Sequence, residues 1–148
     1  MFSEKIDDKN ILMNLDVKTK NEVIERLSEI LVINGFISDI EQFKKDVFDR
    51  ESHMTTGIGN AIAIPHGKSS SVIESTVIVA KLKQPIEWAA LDKQPVNLVF
   101  LLAIKEADKG NEHLRFLAEL SGKLMDDDFV QRLKAAQDKD TLIKALSF

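Results

Sequence analysis

Val23, Ile24, Leu27, Ile30 and Leu31 recur at the spacing of one face of a helix, and Gly35 closes the run. Thr19 and Glu22, three apart ahead of this stripe, match a capping box, so a helix is expected between Thr19 and Gly35. A second such pair, Ser38 and Glu41, opens a stripe of Ile40, Phe43 and Val47 that is expected to fray out near Glu51. Ile11 to Leu15 reads as a short strand before the first helix. Thr55 to Asn60 reads as a loop, because two glycines two apart supply backbone angles that other residues avoid. A short strand, Ala61 to Pro65, follows.

Val77 to Leu82 and Val96 to Ile104 are apolar at successive positions, the pattern of strands covered on both faces, and the second is expected to be central. The rest reads as helix: Asn111 caps a segment through about Lys123, and amphipathic stretches follow near Phe129 to Ala136 and Thr141 to Leu146. The order β-α-α-β-β-β-α-α-α predicts an α/β three-layer sandwich, a mixed sheet of four or five strands flanked by helices on both faces.

Composition narrows the function classes. A chain of 148 residues has room for a single domain, residues 1–148, that buries about 68–70% of its unfolded surface. With 20 Lys and Arg against 24 Asp and Glu, the net charge of −4 argues against sequence-independent nucleic-acid binding and suits a basic protein partner. Without cysteine there is no disulfide, thiol nucleophile or zinc–thiolate site. Residues 1–10 lack the apolar stretch of a signal peptide, and Leu98 to Ile104 falls far short of the roughly 20 residues of a membrane helix, so a soluble, cytoplasmic protein is expected.

Three histidines are candidates for chemistry. His66 follows an apolar strand and Pro65, which stiffens the chain before it, and Gly67 leaves the ring open to approach; an ordinary turn histidine satisfies the same local pattern. His113 stands 4-3-4 with Leu117, Leu120 and Leu124, so it is expected to face inward in the first turn of a helix. The positive end of the helix dipole there favours a neutral ring or a nearby anion, and a core histidine bonded to backbone fits equally. Arg50 extends the stripe of Ile40, Phe43 and Val47. Either its stem lies on apolar surface with the head in water, or the head awaits an anion. His53 reads as solvent-facing. Gly57-Ile58-Gly59 lacks the third glycine of a dinucleotide loop, Ser69 to Ser71 lack a nucleophile elbow, and no metal-ligand spacing is present.

The run Asp49-Arg50-Glu51, then Thr56-Gly57-Ile58-Gly59-Asn60-Ala61-Ile62-Ala63-Ile64-Pro65-His66-Gly67, resembles the signature of the fructose/mannitol-type enzyme IIA domains of the phosphoenolpyruvate-dependent sugar phosphotransferase system. The resemblance continues through Pro95 to Ala103 and His113 to Leu120, covering nearly the whole chain. Ser52-His53-Met54-Thr55 departs from it, since relatives usually carry small or polar residues before Thr-Gly. Leu120 to Phe129 and Trp88 to Asp92 are most similar to the fructose type.

The resemblance implies a phosphotransferase component in which His66 accepts phosphate on Nε2, Arg50 and His113 complete the site, and Thr56 and Gly67 support the phosphate. It implies a histidine-containing phosphocarrier protein as donor, enzyme IIB as acceptor and membrane enzyme IIC reached only through the complex, with no metal, no nucleotide and no membrane insertion of the chain itself. A neutral imidazole is nucleophilic near pH 7, which suits this work. The alternative within the resemblance is a nitrogen-related regulatory protein whose phosphorylation controls binding to a target.

Overall fold

The computed structural model describes residues 6–106 and 112–147, the side chains of residues 112–114 excepted. After a 3-10 turn at Asp8–Asn10, the elements are β1 (Ile11–Leu15), α1 (Lys20–Ile33), α2 (Ile40–His53), β2 (Gly57–Gly59), β3 (Ile62–Ala63), β4 (His66–Ser69), β5 (Thr76–Ile86), β6 (Val96–Lys105), α3 (Glu112–Lys123), α4 (Asp127–Ala135) and α5 (Lys139–Ala145). The sheet is mixed, ordered β1-β5-β6-β3-β2, with β4 also paired to β6.

The three layers follow from the alternation along β5 and β6. Ile78, Ala80, Val99, Leu101 and Ala103 pack under α1 and α2 with Val23, Ile24, Leu27, Leu31, Phe43 and Val47. Val77, Val79, Leu98, Phe100 and Leu102 pack under α3, α4 and α5 with Leu120, Phe129, Leu133 and Leu142. Each fully buried Val, Leu, Ile or Phe among them stabilises the fold by about 1.5–3 kcal/mol, so two apolar faces hold helices on both sides of one sheet. No described helix is long and apolar enough to cross a membrane.

Local chemistry departs from the expected boundaries in places. Thr19 caps α1 by accepting the Glu22 N–H, but the Glu22 carboxylate turns to the Lys18 N–H at 3.4 Å, so only half of that box forms. Asp39, not Ser38, caps α2, because its carboxylate accepts the Gln42 N–H while the Ser38 hydroxyl donates to the Ser71 carbonyl. The helix continues past Glu51 to His53, where Ser52 Oγ and His53 Nδ1 donate to the Asp49 carbonyl. The Asn111 cap lies outside the described residues.

The expected loop at Thr55 to Asn60 contains β2, and the reversal falls instead on Asn60 and Ala61, both at positive φ, 56° and 64°. This is the two-residue hairpin turn whose twist matches its strands. Gly57 is a glycine for another reason: a Cβ there would stand 2.8 Å from Cα and Cβ of Ala90. The strand expected at Ala61 to Pro65 is β3 and then β4. Ile62 pairs with Leu98 and His66 with Leu102, the same offset of 36 (98 − 62 and 102 − 66), so Pro65 interrupts one line of strand rather than ending it. Pro65 has no N–H to give the ladder, but its carbonyl still accepts from Leu102 N at 3.0 Å. Hence the sheet has six strands where the sequence pattern marked four or five.

Candidate functional site

His66 is the first residue of β4 and is half-buried. Its Nδ1 lies 3.0 Å from the Ile64 carbonyl, and Arg50 Nε lies 3.1 Å from its Nε2. A carbonyl can only accept and a guanidinium N–H can only donate. The contacts therefore fix one neutral tautomer, with the proton on Nδ1 and the lone pair on Nε2.

Gly67 decides whether Arg50 reaches that lone pair. The stripe of α2 sets Phe43 and Val47 on β4, and a Cβ on Gly67 would lie 2.7 Å from Val47 Cγ2 and 3.2 Å from Phe43 Cε1. The missing side chain faces α2 rather than opening the ring to approach, as the sequence pattern had implied. Without a Cβ the helix approaches closely, and one turn beyond Val47 its Arg50 stands at His66. Arg50 Nη1 also donates to the Met54 carbonyl at 2.8 Å, holding the fork at the helix C-terminus.

Thr56 is buried and its single O–H donates to Glu51 Oε1. Its oxygen accepts the Trp88 indole N–H at 3.2 Å. A hydroxyl has one proton to give, and that of Thr56 goes to Glu51. His113 falls in the first turn of α3, and its side chain lies outside the described residues, so the inward orientation expected of it does too. His53 is exposed, as expected. The Ile64 and Met54 carbonyls had no signal in the sequence, because a backbone acceptor carries no residue type.

Burial of the His66 ring lowers its pKa from the ordinary 6.5, opposed by the hydrogen bond to Ile64; the Arg50 charge lowers it further and Glu51 raises it. The sign for stability follows. Between the folded pKa and 6.5 the unfolded chain binds more protons than the native one, so stability is full above 6.5 and falls as pH drops through that window. A ring-proton NMR titration of the folded chain is expected to give His66 a midpoint below 6.5. A midpoint at or above that value would contradict the buried neutral ring.

A strand-borne imidazole with one nitrogen tied to a carbonyl and the other facing an arginine is suited to taking and giving an anion-bearing group at Nε2. The family model described as "Phosphoenolpyruvate-dependent sugar phosphotransferase system, EIIA 2" matches residues 4–148. This chain belongs to that family. It is 34% identical over 146 residues to the fructose-specific EIIABC component of Bacillus subtilis, covering 99% of this chain and 23% of that one. It is also 34% identical to the fructose-specific EIIA component of Haloferax volcanii, covering 87% and 83%. The nitrogen regulatory protein IIA-Ntr of Neisseria meningitidis superposes with a TM-score of 0.89 at 26% identity, covering 98% of each chain. This EIIA chain spans less than a quarter of the length of the multicomponent relatives it matches.

Proposed function

We propose that this EIIA family member is a phosphoryl carrier in which His66 Nε2 takes phosphate from the histidine-containing phosphocarrier protein and hands it to enzyme IIB for fructose-type sugar uptake. The observation that carries the reading is the pair of contacts on one ring, Nδ1–H to the Ile64 carbonyl and Nε2 to Arg50. In the first transfer the Nε2 lone pair attacks the phosphorus of the donor's phosphohistidine. The donor P–N bond breaks, and its electron pair returns to the donor imidazole.

The proton on His66 Nδ1 stays, so the ring becomes positive and the Ile64 carbonyl faces that charge. Arg50 gives up its hold on Nε2 when the phosphoryl group arrives and turns its N–H groups to the equatorial oxygens, where the loose transition state concentrates charge. His113 is assigned the same role from the first turn of α3. In the second transfer a nucleophile on IIB attacks the phosphorus and the P–Nε2 electron pair returns to His66. The chain thus works as a single EIIA domain needing neither metal nor nucleotide, with IIC reached only through IIB.

The fructose-specific names of the relatives support the fructose type, and the EIIABC relative supports IIB as recipient. The likeness to IIA-Ntr favours one second reading, a regulator whose phosphorylation state controls binding to a target. The two separate in one experiment. The chain is labelled from phosphoenolpyruvate through enzyme I and the phosphocarrier, then chased with fructose-type IIB proteins. Label is expected to leave for IIB; label that no IIB removes would pass the conclusion to the regulatory reading, and a chain that takes none would overturn both.

A further inference from the structure

Glu51 follows Arg50 in the last turn of α2, about 100° further round the helix, and its contacts lie away from His66. Its side chain is 6% exposed and pairs with Lys20 Nζ, at the start of α1, at 3.2 Å. Thr56 donates its hydroxyl proton to the other carboxylate oxygen. The Lys20 ammonium also lies 5.3 Å from the centroid of the Trp88 ring, and the Trp88 N–H binds the Thr56 oxygen. Lys20 and Thr56, from two separate parts of the chain, meet on one buried carboxylate, and Trp88 touches both of them. Well-packed apolar residues serve stability as well as a buried ion pair does, so stability alone gives little reason for this one.

The network runs on to the reacting ring. The Thr56 carbonyl accepts Ile64 N–H at 3.0 Å, and the Ile64 carbonyl accepts His66 Nδ1–H at 3.0 Å. On the other side Arg50, one residue from Glu51, holds Nε2. Both ring nitrogens thus depend on pieces that Glu51 ties together.

We propose that Glu51, clamped by Lys20 and Thr56, is a positioning residue for phosphoryl transfer: it locks the last turn of α2 to the segment before β2 and so keeps the His66 proton on Nδ1 and the lone pair on Nε2. Its charge acts in the same direction on the product. Attack through Nε2 leaves a positive ring, and a carboxylate in a region of low dielectric favours that charge, as the upward pull of Glu51 on the His66 pKa indicates. The inference takes from the carrier reading what the ring does; how the ring is held stands on the geometry.

The test uses the whole chain with Glu51→Ala, Thr56→Val and Glu51→Gln. In the first two, nitrogen-15 NMR of His66 above pH 6.5 is expected to show the Nε2–H tautomer gaining population. The maximal rate of phosphorylation by a saturating phosphocarrier should fall about 10- to 100-fold through misplacement of the reacting nitrogen, with KM for the phosphocarrier unchanged. Glu51→Gln, which keeps an acceptor for Thr56, should restore the tautomer while leaving the rate below wild type. Should Glu51→Ala not fold, Thr56→Val decides. A native tautomer, an unchanged maximal rate or a change confined to KM would overturn the proposal. Should the wild-type chain take no phosphate, the carrier reading falls, while the tautomer measurement, which needs no donor, still decides how the ring is held.

Discussion

His66→Ala is expected to take up no phosphate when phosphoenolpyruvate, enzyme I and the phosphocarrier are all supplied. The variant loses the nitrogen that forms the bond, and Arg50, which stays protonated, cannot serve as a nucleophile in its place. The fold should survive. Removal of the ring costs two hydrogen bonds, to the Ile64 carbonyl and from Arg50 Nε, each worth about 1 kcal/mol, and both freed groups lie at a half-buried site that water can reach. Circular dichroism and a thermal melt would confirm that the variant is folded before labelling is compared. Full labelling of the folded variant would move the acceptor to another histidine and undo the assignment.

Arg50→Ala should keep the nucleophile and lose most of the rate, in both directions of transfer. An N–H donor aimed at charge that develops in the transition state is worth about 100- to 1,000-fold in rate, and the contact to His66 Nε2 puts this guanidinium beside the nitrogen proposed to take the phosphoryl group. Arg50→Lys should recover only part, because an ammonium has no planar fork to hold Nε2 and the Met54 carbonyl together. Loss of Arg50 should also raise the His66 pKa, since its charge lowers that value and its side chain helps to bury the ring. A rapid-quench measurement with wild-type rates in Arg50→Ala would remove the residue from the mechanism.

Much of this site was legible because polar residues stood where apolar ones were due. Arg50 continued the stripe of Phe43 and Val47, and it lies where that stripe pointed. His66 stood out through Pro65 and Gly67, but the reasons differ from the expected ones: Pro65 interrupts a strand that continues, and Gly67 makes room for α2. Thr56 was assigned to the phosphate because it sits in the signature, although its proton goes to Glu51. The clamp of Lys20 and Thr56 on Glu51 was not legible, since Lys20 looked ordinary in its own segment. Lys81 is a similar case. Set among the apolar residues of β5, it donates to the Leu133 and Lys134 carbonyls and so closes the C-terminal end of α4.

The sequence by itself determined the layers and the candidate nucleophile. Helical stripes of apolar residues and strands apolar on both faces can bury themselves only as a sheet between helices, and those periodicities are local properties of the chain. Tertiary structure alone decided which nitrogen of His66 is free. That choice depends on a carbonyl two residues back and an arginine sixteen residues away, brought to one ring by a helix that comes close because Gly67 has no side chain to hold it off.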